Sequence, residues 1–147
     1  MRRFTDAIRQ AVASRNWFGA VYIALAMPDI CAKLENPKAA GSESRYRKWF
    51  DRYLASKYNA DLPGGKHTFL SAGDCYALRC SILHEASEEI GQQRASDVLK
   101  RVYFTTLGSH LIHVNDTLTL NVGMFSDRKL RDDDIATWPR LPPAGRR

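Results

Sequence analysis

Residues 17–35 constrain the fold most, because a helix drawn over them is apolar on almost every side. The apolar side chains that carry this pattern are Trp17, Phe18, Val21, Tyr22, Ile23, Leu25 and Met27. A single buried stripe cannot cover them, so such a helix has to be surrounded by other elements. We therefore predict a buried central helix from Trp17 to Glu35, capped by Asn16 and kinked or divided at Pro28.

Three further helices are predicted around this central one. The first follows Thr5 as its cap, and the fourth spans Ala72 to Glu85 with Ser71 as its cap. The third covers residues 44–58 and carries basic residues between regularly spaced aromatic ones. That pattern is typical either of the core face of a basic surface helix or of a surface that stacks on nucleic-acid bases.

The second half of the chain changes from helical to strand-like spacing. Residues 59–68, with Pro63 followed by two glycines, read as a loop, and residues 87–100 read as polar chain that starts helical. Residues 111–114 and 117–122 alternate like half-buried strands around a turn at Asn115, and residues 102–106 supply a third strand. We predict a single domain over residues 1–138, with a short helix at 130–138, and a disordered tail over residues 139–147.

Composition points to an ordinary globular chain in the cytoplasm. The longest apolar run, residues 17–27, is too short to span a bilayer, and no signal peptide is evident, so no membrane partner is expected. The three cysteines have no metal-ligand spacing and read as free thiols. The net charge is +6 and fifteen of the twenty-two cations are arginine, which permits a polyanion such as RNA as a partner.

The fourth helix contains an arginine in an unexpected position. At about 100° per residue, Arg79 projects from the middle of the apolar arc, whereas Asp74, Ser81 and His84 occupy the opposite arc. A buried guanidinium is costly unless it is paired and hydrogen-bonded, so this position needs an explanation.

Three explanations remain open from the residues alone. Arg79 can form a buried ion pair, with Asp29 or Glu35 as the natural partner, or it can lie at a contact between subunits. It can also act on an anionic group together with His84. Because the two residues are five positions apart, their side chains leave the helix about 140° apart. A joint site therefore needs a second copy of the helix or an arginine that reaches round the helix.

The segment 79–84, which reads RCSILH, resembles the Arg-x-x-x-x-His motif of the HEPN superfamily. The longer segments 74–85, DCYALRCSILHE, and 28–35, PDICAKLE, resemble a group of small bacterial HEPN-like proteins, and the likeness covers roughly residues 4–125. The resemblance implies a mainly α fold, a bundle of about four to five helices, to which the strand pattern adds a C-terminal β-hairpin or small antiparallel sheet.

Many HEPN members are metal-independent endoribonucleases, often toxins or defence proteins, whose motif helices meet across a homodimer. The resemblance therefore implies an RNA-binding homodimer in which Arg79 stabilises phosphate charge and His84 transfers protons, with no metal and no cofactor. Other HEPN members are non-catalytic nucleotide-binding or partner modules, and active ones commonly have a polar residue where this chain has Cys80. The alternative is thus a non-catalytic interaction module, with a protein partner, in which Arg79 is a structural ion-pair residue.

Overall fold

The computed structural model describes residues 2–128, so the helix predicted at 130–138 and the tail at 139–147 lie outside the described residues. Within this part of the chain there are five α-helices, one 3₁₀ turn and five short strands. The elements are α1 (Arg2–Ala13), α2 (Trp17–Glu35), α3 (Ser42–Tyr53), the 3₁₀ turn (Ala55–Tyr58), β1 (Asn59–Leu62), β2 (Gly65–Thr68), α4 (Ala72–Glu85), β3 (Arg101–Thr105), β4 (Ile112–Val114), β5 (Thr117–Asn121) and α5 (Val122–Arg128). The prediction of a mainly helical chain is confirmed, but the chain contains more sheet than predicted.

Helix α2 begins where the sequence predicts. The side-chain oxygen of Asn16 accepts a hydrogen bond from the backbone N–H of Gly19 at 3.0 Å, which caps the first turn. Pro28 is predicted to kink or divide this helix; it lies inside a single helix that continues to Glu35, so it does not divide it. Thr5 is not a cap either, because α1 begins at Arg2 and the Thr5 hydroxyl donates to the Arg2 carbonyl within that helix.

Only part of the apolar surface of α2 is buried by the rest of the chain. Eight of its nineteen residues are buried, and α1, α3, α4 and α5 all contact it. An 18-residue window of α2 has a mean hydropathy of 1.3, so length and composition alone would allow it to cross a bilayer. A core helix passes the same test, and 44% of this window is buried within the chain.

The aromatic residues of α3 face the core. Tyr46, Trp49 and Phe50 are buried, which confirms the interpretation of this stripe as the core face of a basic helix. The α-helix ends at Tyr53 instead of continuing to residue 58, and the chain turns through the 3₁₀ segment.

Residues 59–68 form a β-hairpin and not the predicted loop. Strands β1 and β2 are antiparallel, with Asn59 opposite Thr68 and Leu62 opposite Gly65. The turn depends on Gly64 and Gly65, whose φ angles of 104° and 124° suit glycine. The strands are short and largely exposed, so they lack the alternation that makes a strand visible in sequence.

The second sheet has the strand order β3-β5-β4. The predicted hairpin around Asn115 is confirmed as β4 and β5, and the predicted third strand is β3. Because β3 pairs with β5 in parallel, from Arg101 opposite Thr117 onward, the sheet is mixed and the prediction of an antiparallel sheet is wrong.

Residues 86–100 are irregular, so the prediction that residues 87–100 start helical is wrong. Helix α4 ends at Glu85, and the capping residue Ala86 has a left-handed φ of 51°. The following chain is held by the buried carboxylate of Asp74, whose Oδ1 accepts from the backbone N–H groups of Asp97, Val98 and Leu99 at 2.8, 3.2 and 3.3 Å. These bonds satisfy amides that would otherwise need a helix or a strand partner.

The outer edge of β3 is covered by Glu88. The backbone N–H of Val102 donates to the Glu88 carbonyl at 3.1 Å, and that of Phe104 donates to the Glu88 carboxylate at 3.3 Å. One residue therefore satisfies two edge amides of this strand.

Candidate functional site

Helix α4 carries both residues of the candidate motif and is fixed firmly in the fold. The Ser71 hydroxyl accepts from the backbone N–H of Asp74 at 3.0 Å, which confirms the predicted cap. Eight residues of the helix are buried, including Asp74 and Ser81, which the helical wheel assigns to the polar arc. They are buried because residues 86–100 cover that side: the Ser81 hydroxyl donates to the Glu89 carbonyl at 2.7 Å.

Arg79 forms an ion pair with Asp29 of α2. Its Nη2 lies 2.7 Å from the Asp29 Oδ2, and the two side chains are 21% and 15% exposed. The guanidinium also lies 5.6 Å from the Tyr76 ring centroid, and its Nη1 donates to the Cys80 Sγ at 3.8 Å. The Nε is buried and has no hydrogen-bond partner within the described residues.

The other partner suggested by the sequence is engaged elsewhere. The Glu35 carboxylate accepts a hydrogen bond from the Tyr53 hydroxyl and lies 3.8 Å from Arg52. Of the two acidic residues considered for Arg79, the structure therefore selects Asp29.

Electrostatics keep this arginine charged. Burial by itself lowers the pKa of Arg79, but the hydrogen bond to Cys80 and the charge of Asp29 outweigh it, and its pKa lies above the ordinary value. Arg79 therefore stays protonated, and it acts as a fixed cation.

The buried Tyr46 of α3 contacts both α2 and α4, the two helices that carry the Asp29–Arg79 pair. The Tyr46 hydroxyl donates to the Leu25 carbonyl at 3.1 Å and lies 3.3 Å from the Cys75 Sγ. Burial, together with the neighbouring Cys75, raises the pKa of Tyr46 well above its ordinary value. The Tyr46 ring also meets the Tyr76 ring edge-on at 5.2 Å, so the residues around Arg79 are held in place from α3.

His84 lies at the end of α4 and is exposed. No hydrogen bond or ion pair joins it to Arg79 within residues 2–128, so one copy of the chain does not bring the two motif residues into contact. An exposed imidazole is nevertheless accessible to a substrate.

One side of α2 and α4 is only half-buried, and we call it the α2–α4 face. It consists of Tyr22, Ile23, Ala26, Asp29 and Ile30 from α2 and of Tyr76, Arg79, Cys80 and Leu83 from α4. The two helices are tied together by the ion pair and by a hydrogen bond from the Tyr22 hydroxyl to the Ile82 carbonyl at 3.0 Å. Apart from the ion pair the face is mostly apolar, and Arg79 lies within it.

The arrangement offers a fixed cation and an exposed imidazole on one helix. Among residues 2–128 no group of three or more histidine, cysteine, aspartate or glutamate side chains is placed to hold a metal ion. The three cysteines form no disulfide, with Cys31 and Cys75 buried and Cys80 half-buried. An arginine is a type of side chain that can bind phosphate, and a histidine is one that can transfer protons.

Comparison of the chain with protein-family models, with curated proteins and with solved structures gave no match.

Proposed function

We propose that this chain is a HEPN-like RNA-binding protein that works as a homodimer. The observation that carries the proposal is the α2–α4 face, because it is half-buried and apolar in one copy and contains Arg79. In a twofold dimer the same patch meets itself, so the contact has to be self-complementary. A face that holds both an aspartate and an arginine meets that requirement, because each charge can lie opposite its counterpart in the second copy.

A dimer is also needed because Arg79 and His84 of one chain do not meet. The motif requires that two copies of α4 bring the arginine of one chain near the histidine of the other, because the two residues leave a single helix in different directions. Arg79 would stabilise the negative charge on an RNA phosphate, and two His84 side chains would divide the roles of base and acid. In its strongest form the proposal therefore includes metal-independent cleavage of RNA.

The ion pair favours a second candidate function. Asp29 already neutralises Arg79 at 2.7 Å, and a phosphate would have to compete with that carboxylate. We infer from this contact the alternative of a non-catalytic interaction module in which Arg79 is structural and the α2–α4 face binds a protein.

Dimerisation is tested by light scattering during gel filtration. Ile30→Glu places a charge on the α2–α4 face and is expected to give a monomer. The matched control is Val98→Glu, which adds the same charge at an apolar position that is 70% exposed and outside the face. A wild-type monomer, or a dimer that survives Ile30→Glu, would contradict the assembly.

RNA binding and cleavage are tested in EDTA with labelled single-stranded RNA. The proposal expects binding that weakens with salt, and cleavage that His84→Ala abolishes without loss of binding. Lys66→Ala, at an exposed cation on the β1–β2 hairpin, serves as the control. Binding without cleavage supports an RNA-binding protein that is not a nuclease, and a dimer that does not bind RNA supports the interaction module.

A further inference from the structure

A cleft of about 600 Å³ lies between the N-terminal end of α2, the end of α4 and strand β3. Its wall is rich in aromatic side chains, namely Trp17, Phe18, Tyr103 and Phe104. Phe18 is 72% exposed and Tyr103 is 53% exposed, although both are large apolar rings. The volume and the apolar lining are typical of a site for a small molecule, and the aromatic side chains suit a planar one.

The cleft contains two carboxylates, Glu88 and Glu89, beside the guanidinium of Arg101 and the hydroxyls of Ser87 and Thr106. Glu88 uses one carboxylate oxygen for the Phe104 amide, and Glu89 pairs with Arg101 at the exposed rim. Each carboxylate retains further acceptor positions, because one carboxylate can accept about four hydrogen bonds. A ligand that fits this cleft is therefore flat and apolar in its body and donates N–H groups from its edge.

The cleft adjoins the α2–α4 face, because the ring centroid of Phe18 in its wall lies 6.3 Å from that of Tyr22 in the face. Ile82 and Ala86 of α4 also line the cleft, whereas His84 does not. A single RNA strand that places a phosphate at the α2–α4 face can therefore place a neighbouring base at this cleft.

We propose that the cleft binds one unpaired nucleobase that carries an exocyclic amino group, namely adenine, cytosine or guanine. The aromatic wall contacts the face of the base, and Glu88 or Glu89 accepts a hydrogen bond from the amino group. Uracil has no amino group and offers the carboxylates only its N3–H, so bases with an amino group are preferred over it. This inference rests on the proposed RNA binding and adds a base preference to it.

The direct test uses nucleosides, because they carry no phosphate and so do not depend on Arg79. Calorimetric titration should show adenosine binding roughly tenfold more tightly than uridine, as expected for a lost hydrogen bond to a charged group. Phe18→Ala should weaken the binding of both nucleosides roughly 5- to 150-fold, the range measured when a stacking aromatic residue is removed. The double variant Glu88→Ala/Glu89→Ala should remove the preference for adenosine.

The control variant is Val98→Ala, which truncates another exposed apolar side chain that does not line the cleft. It should bind adenosine like the wild type. Oligonucleotides of about twelve adenines or uracils extend the test to RNA, and the same order of affinities is expected there.

Each outcome separates this inference from the proposed function. Nucleosides that do not bind, or that bind equally well and independently of Phe18, would overturn the base site while RNA binding through Arg79 could stand. Nucleosides that bind as expected to a chain without affinity for RNA would support the base site and contradict the RNA function. If nucleosides do not bind and Phe18→Ala changes the oligomeric mass, the cleft is a contact between copies, and the base site is wrong.

Discussion

Replacing the Asp29–Arg79 pair tests whether it is mainly structural. At about 4 Å between charge centres and an effective dielectric constant near 20, the attraction is about 4 kcal/mol. Both charges lose most of their water, because the side chains are only 15% and 21% exposed, and this loss offsets much of the attraction. We therefore expect Asp29→Leu, which leaves the arginine unpaired, to lower the free energy of unfolding by about 2–3 kcal/mol, somewhat less than for a fully buried pair.

The double variant Asp29→Leu/Arg79→Met should recover most of that loss. Leucine and methionine fill a similar volume and neither leaves a buried charge, so the free energy of unfolding should lie within about 1 kcal/mol of the wild type. Urea denaturation followed by far-UV circular dichroism measures all four members of the cycle. If Asp29→Leu costs nothing and the double variant is additive, the two residues are not coupled, and the structural interpretation of the pair is refuted.

The same double variant distinguishes the two proposed functions. It should keep its fold but lose affinity for RNA if Arg79 contacts phosphate, because the cation is gone. If Arg79 is only structural, RNA or partner binding should remain within about twofold of the wild type.

Three further predictions concern stability. Asp74→Ala removes the acceptor of three backbone amides. It should lower the free energy of unfolding, measured by urea denaturation, by about 3–5 kcal/mol. Gly73→Ala would place a methyl group 2.3 Å from the Asp97 carboxylate. We expect the free energy of unfolding to fall by about 1–2 kcal/mol, and the melting temperature to fall with it. The raised pKa of Tyr46 means that the unfolded phenol ionises near pH 10 while the folded one stays neutral. Stability is therefore retained below about pH 10 and falls as the pH rises above it, and Tyr46→Phe should show a smaller fall.

Matched variants make these three measurements specific. Asp61→Ala removes an exposed carboxylate and should change the free energy of unfolding by no more than about 0.5 kcal/mol. Ser71→Ala, which loses the cap of α4 and a contact to Asp97 but adds no atoms, separates steric conflict at Gly73 from a disturbed helix start. An alkaline transition that is identical in wild type and Tyr46→Phe would show that other groups control it.

The helices could be predicted from the sequence because their signals are local. Asn16 and Ser71 each accept a hydrogen bond from the N–H three residues later, and this interaction needs no distant partner. The parallel pairing of β3 with β5 could not be predicted, because nothing near Arg101 specifies which strand lies beside it. The prediction that residues 87–100 start helical was wrong because their conformation depends on a distant residue. The carboxylate that binds their amides belongs to Asp74, more than twenty residues earlier.

Part of the candidate site could also be predicted from the sequence. The helical wheel places Arg79 among apolar neighbours, which indicates a paired arginine, and Asp29 was one of two suggested partners. Choosing between Asp29 and Glu35 required the tertiary structure, because only the packing of α3 shows that Tyr53 engages Glu35. The aromatic cleft had no sequence signal, since Phe18 and Tyr103 come from segments that read simply as core helix and strand.

Glu88 has a consequence for the solubility of this chain. A strand with free amides at the margin of a sheet can recruit a strand from another molecule, and growth of this kind leads to aggregates. Because Glu88 occupies two of those amides on β3, with a charged side chain over the second, an incoming strand would first have to displace a carboxylate. Extension of the sheet from one molecule into another along β3 is therefore disfavoured.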